Sequence, residues 1–130
     1  MMALAREQGP EAVAREMVPR LLGETTRREQ PDLVDAVRRL IVVNSVDGIV
    51  SALGALKTRP DSTPGLPAIA CPALVITGDE DAIMPVSESE VMQRGIPNAS
   101  LVVLPKVGHL SNLEEPVGWS RAVEAALKAM

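Results

Sequence analysis

The chain has 130 residues, of which 46% are apolar, so it is long enough for one packed domain and too apolar for a disordered segment. Its formal net charge is −4 and its basic residues form no stripe, which speaks against nucleic acid as a partner. The single cysteine, Cys71, cannot form an intramolecular disulfide, no apolar run is long enough to cross a bilayer, and Arg6 and Glu7 come too early for a signal-peptide core, so a cytoplasmic protein is expected.

The first sixty residues read as helices. Gly9-Pro10-Glu11 has the pattern of a helix start, with proline at the first helical position. Val13, Met17 and Leu21 then share a face, and Pro19 is expected to break this helix near Val18, leaving Leu21-Leu22-Gly23 as a separate turn. Pro31-Asp32 opens a second helix whose apolar positions, Leu33, Val37, Leu40 and Ile41, follow helical spacing. Ser45 is placed to cap a third, with Val46, Ile49, Leu53 and Leu56 facing inward. Trp119 is the sole aromatic residue, so aliphatic side chains must fill the core.

From Thr58 to Pro72 the chain carries Pro60, Pro64, Gly65, Pro67 and Pro72, the composition of a linker. Beyond it the pattern becomes strand-helix-strand-helix. Ala73–Thr77 and Ser100–Leu104 are short runs apolar on both faces, as in a parallel sheet covered by helices. Between them Ser87-Glu88-Ser89-Glu90 matches a capping box with Val86 and Val91 as its staple, and Gly95 and Pro97 end the helix. A helix between the two strands implies parallel pairing with a right-handed crossover. Pro116 opens a last helix, with Trp119, Val123, Ala126, Leu127 and Met130 expected to face inward.

Each strand stops at a turn bearing chemistry, and active groups in parallel sheets lie beyond the carboxyl ends of the strands. After the first comes Gly78-Asp79-Glu80-Asp81, whose acids also have a local use as turn residues. A hand-type calcium loop starting at Asp79 would need an oxygen ligand and a glycine where Ile83 and Met84 stand, so that reading fails. After the second strand comes Gly108-His109, the one histidine of the chain. One histidine and one cysteine do not make a zinc site, and no metal is expected. A general base needs one imidazole and an acid to hold its tautomer, and Gly108 lets the backbone turn sharply. Acid then histidine, each after a buried strand, is the second half of a Ser…Asp…His chain order.

On these motifs, residues from about Cys71 to Leu127 resemble the C-terminal portion of the α/β-hydrolase fold superfamily. Leu74-Val75-Ile76-Thr77-Gly78-Asp79-Glu80-Asp81-Ala82-Ile83-Met84-Pro85 is similar to the penultimate strand and acid loop, and Gly108-His109-Leu110-Ser111-Asn112-Leu113-Glu114-Glu115-Pro116 to the histidine loop. The helices before Pro60 are loosely similar to the cap of the smaller members, such as enol-lactonases and esterases. The resemblance implies an α/β fold in three parts: a helical cap-like region over 1–60, a proline-rich linker over 61–72, and the C-terminal βαβα part of the core over 73–130. It implies Asp81 as the triad acid and His109 as the base, with Ile83, Met84 and Leu110 lining the substrate pocket. It implies an ester or lactone substrate and no cofactor.

The family's nucleophile lies on a G-x-S-x-G turn ahead of the cap, and no serine here sits in that motif; Ser51 lacks the preceding glycine and Cys71 stands before a proline. Losing the nucleophile alone costs a triad about a million-fold in rate, so this chain by itself is expected to be inactive. Two parallel strands also leave long unpaired edges, and a two-stranded sheet is marginal in isolation. The chain is therefore read as the C-terminal part of a longer hydrolase, or one completed by a complementing chain or a second copy through its strand edge. The alternative is a non-catalytic dimerisation module on a truncated hydrolase scaffold. Dehalogenation, epoxide opening and C–C cleavage differ mainly in the nucleophile and oxyanion regions and stay open.

Overall fold

The computed structural model describes residues 1–129. Seven α-helices and two strands follow in the order α1 (Met2–Leu21), α2 (Glu24–Glu29), α3 (Pro31–Val42), α4 (Val46–Thr58), β1 (Ala73–Gly78), α5 (Val86–Gly95), β2 (Ala99–Leu104), α6 (Ser111–Glu114) and α7 (Pro116–Ala129).

Helix α1 bends at Gly9, whose φ of 77° and ψ of −179° interrupt the helical path just where Gly9-Pro10 was expected to start a helix. A further helical stretch precedes the bend. Pro19 does not end α1 near Val18: the helix runs to Leu21, and the Leu22 N–H still reaches the Val18 carbonyl at 3.1 Å. The proline removes only one bond near the helix end, and Pro19 and Arg15 both face solvent, where water can satisfy the freed carbonyl. After Leu22 the chain turns directly into α2, a six-residue helix the periodicity does not reveal.

Helices α3 and α4 stand where proline and serine signals put them. Pro31 is the first residue of α3, and the Ser45 Oγ accepts the Gly48 N–H at 3.1 Å. Their inward faces are thinner than expected. Val37 is buried against Val18 and Leu22, but Leu40 and Leu56 are each 61% exposed. Within the proline-rich stretch, Thr63–Ala68 forms a short 3-10 turn.

Strands β1 and β2 pair in parallel, Ala73 opposite Ala99 through Gly78 opposite Leu104, and form a two-stranded sheet. Helices α5 and α7 pack on this sheet. The Ser87 capping box is not formed. Helix α5 begins at Val86 with Pro85 as its cap and no side-chain cap bond, so Ser87 lies inside the first turn. The Glu88 N–H instead donates to the Pro85 carbonyl at 2.9 Å, and in the loop ahead of the helix Asp81 accepts the Ile83 and Met84 N–H groups at 2.8 and 2.9 Å. In α7, Trp119, Val123 and Ala126 are half-buried, but Leu127 is 65% exposed. Met130 lies outside the described residues. Among the described residues no single helix is long and apolar enough to cross a membrane.

Candidate active site

The parallel ladder continues past both strands as a zipper of loop contacts. Asp79 N–H donates to the Leu104 carbonyl at 3.1 Å and Glu80 N–H to the Val107 carbonyl at 2.8 Å. Gly78 is required here, since a Cβ would collide with the Val107 carbonyl. In return the Asp79 Oδ1 accepts the Lys106 N–H at 2.6 Å, holding the one non-glycine residue with positive φ, 61°, among those described. The acid loop and the histidine loop are thus hydrogen-bonded into one ledge at the carboxyl ends of the strands.

The three neighbouring carboxylates divide the work. Asp79 pins the turn into the histidine loop. Glu80 reaches across to the start of α2, where its Oε1 accepts the Thr25 hydroxyl at 2.6 Å and its Oε2 the Thr25 N–H at 2.7 Å. These two bonds, the hydroxyl first, hold the Glu80 carboxyl below the usual glutamate range, with Arg28 and Arg27 adding a smaller effect. Asp81 meets the histidine: its Oδ2 lies 2.8 Å from His109 Nδ1. The Asp81 side chain is 5% exposed and the imidazole 33%. With Oδ1 taken up by the Ile83 and Met84 amides, Oδ2 is aimed at Nδ1 alone. An acceptor there places the ring proton on Nδ1 and the lone pair on Nε2, which has no partner among the described residues.

Next to His109, Leu110 lines an apolar groove of about 400 Å³ between α1, α3 and α4, with Met17, Leu21, Val37, Ile49 and Leu53 among its walls. No charged side chain lines it, and Asn44 is its one polar side chain. Met84 faces a different groove, beside Leu66, Val91 and Met92, and Ile83 lines neither.

The family model for the α/β-hydrolase fold matches residues 7–116. The chain belongs to the α/β-hydrolase family. This α/β-hydrolase chain is 31% identical over 125 residues to 3-oxoadipate enol-lactonase 2 of Acinetobacter baylyi, covering 96% of the chain and 46% of that protein. Its fold superposes with a TM-score of 0.92 on a thermophilic esterase from Thermogutta terrifontis, at 39% identity, covering 98% of this chain and 47% of that one. The enol-lactonase of Burkholderia xenovorans gives 0.89 at 27% identity, over 98% of this chain and 48% of that one. The chain therefore spans about half the length of these relatives.

One residue of this candidate site is not singled out by the sequence. Glu114, 4% exposed, accepts N–H bonds from Gly23, Gly108 and Leu110. It ends α6, and its partners combine the nearby Gly108 and Leu110 amides with that of Gly23, 91 positions away.

Proposed function

We propose that this chain supplies the acid and the base of a hydrolytic triad for ester or lactone substrates, with the nucleophile contributed by a segment outside this sequence. The observation that carries the reading is the 2.8 Å contact of Asp81 Oδ2 with His109 Nδ1 on a ledge beyond two parallel strands. The enol-lactonase and esterase relatives support the ester or lactone class, and the helices over 1–60 then act as the cap above the ledge.

In the reaction, a hydroxyl nucleophile gives its proton to His109 Nε2 as its oxygen bonds to the substrate carbonyl carbon. Asp81 keeps the ring oriented and stabilises the imidazolium that forms. His109 then returns the proton to the departing alcohol, and the same steps with water release the acid. The apolar groove beside Leu110 suits an uncharged hydrocarbon portion of the substrate, because burying a charge there would leave it without a partner.

The chain alone should not turn over a small ester. Grafted in place of the matching half of the 39% identical esterase, it should support turnover, and His109→Ala should abolish it. Turnover by the isolated chain, lost in the same variant, would overturn the division of the triad.

A second reading has its own observation. The sheet has two strands, each with an unpaired outer edge, and Val103 on β2 is 40% exposed. Pairing with a complementing chain or a second copy would cover such an edge. Sedimentation of the isolated chain decides: a stable, well-folded monomer counts against it.

A further inference from the structure

We infer that Glu114 is a positioning residue for His109, tying the histidine loop and the end of α1 to one buried carboxyl group. The inference rests on the triad reading above and adds to it the device that holds the base in place.

The N–H groups around the base are fully assigned. Gly108, just before His109, donates to Glu114 Oε2 at 3.0 Å, and Leu110, just after it, donates to Oε1 at 3.1 Å. His109 N–H itself goes to the Leu21 carbonyl at 3.1 Å, which Leu110 N–H also approaches at 3.2 Å. Three successive backbone donors are thus held by two groups, the Glu114 carboxylate and the Leu21 carbonyl, and the imidazole leaves the chain between them. Oε2 accepts a further bond, at 2.8 Å, from Gly23, the residue that leads into α2. One oxygen therefore bridges the helical segment and the histidine loop. Gln30 closes the cluster by donating its Nε2–H to the Glu114 carbonyl at 3.1 Å. No cation pairs with Glu114 among the described residues, so backbone amides alone compensate its burial.

The geometry sets what fails first. Losing Glu114 leaves the Gly23 and Gly108 amides orphaned where a loop must stay fixed to hold His109 Nδ1 on Asp81. A glutamine in its place keeps the shape but turns an NH₂ group toward amide donors, whichever way it is flipped.

Because His109 is the only histidine, its ring nitrogens give unambiguous NMR signals in the full chain. With the ring neutral, the parent chain should show the Nδ1–H tautomer with that proton shielded from water. In Glu114→Gln that remains folded by circular dichroism, the tautomer should become mixed and exchange of the ring proton should speed up about tenfold, reflecting a looser local structure. Adding Asp81→Asn to that variant should change the ring signals less than it does in the parent. A folded Glu114→Gln with reduced stability and unaltered His109 signals would make Glu114 structural only and overturn the inference. If the variant does not fold, amide exchange in the parent decides. Gly23, Gly108 and Leu110 should be protected to a common extent, and unrelated rates would overturn it. Unaltered ring signals in Asp81→Asn alone would sink the acid–base pair instead, leaving the two failures distinguishable.

Discussion

Gly23 and Gly108 stand against each other where the helical segment meets the histidine loop. A Cβ on Gly108 would run into the Gly23 nitrogen, and one on Gly23 would lie 2.9 Å from the Gly108 nitrogen. Neither neighbour can yield, since both are backbone and both are bonded to Glu114. Gly108→Ala should therefore destabilise the chain by about 1–3 kcal/mol, the usual cost of overpacking a tight site. Urea unfolding checks this, with the midpoint falling and the slope kept. A stability equal to the parent's would mean the two loops separate more easily than their packing implies.

The pair Glu80 and Thr25 gives the chain a pH-dependent clasp. The folded-state pKa of Glu80 is lowered, chiefly by the Thr25 hydroxyl and then its N–H, so the unfolded chain binds the proton more readily. The clasp is then fully present above the ordinary glutamate value of 4.5 and is lost as pH falls through the lower folded value. Thr25→Ala should cost about 0.5–1 kcal/mol at neutral pH, at the low end because the pair is only partly buried. It should also flatten the acid limb of stability against pH. An acid limb identical in parent and variant would remove Thr25 as the cause.

Asp81→Asn should change which ring nitrogen of His109 carries the proton. The Ile83 and Met84 amides need an acceptor, so the asparagine oxygen turns to them and its NH₂ faces Nδ1. That forces the proton to Nε2, where a base needs its lone pair. Nitrogen chemical shifts of His109 should report the flip in the isolated chain. In an assembled enzyme the same substitution should lower kcat by about ten-thousand-fold, as in triads generally. Retention of the Nδ1–H tautomer would show that another group holds the ring.

The leucines should sort by tertiary burial rather than by helical face. Leu22 is 1% exposed in the cluster with Val18 and Val37, so Leu22→Ala should cost about 2–5 kcal/mol. Leu40→Ala and Leu56→Ala, at positions 61% exposed, should each cost within about 0.5 kcal/mol. Parallel urea titrations test the contrast. Equal losses at all three would mean that the groove is covered in solution, as a second copy would cover it.

Signals that act within a few residues were legible in the sequence. Pro31 and Ser45 start their helices, Gly9-Pro10 marks the bend in α1, and two β-branched runs become the paired strands. The same local logic placed an acid and a histidine at the ends of those strands. It failed where a helix started earlier than its signal or where an apolar face found no cover. The Ser87 capping box is not formed because α5 starts at Val86 with Pro85 as its cap, and Leu40 and Leu56 keep helical spacing yet stay 61% exposed. The resemblance already singles out Asp81 from three adjacent carboxylates as the partner of His109, but only the tertiary structure decided that Glu80 binds Thr25 from 55 positions away and Glu114 binds Gly23 from 91. Spacing cannot express those pairings, because a carboxylate's partner depends on which backbone amides folding leaves without one.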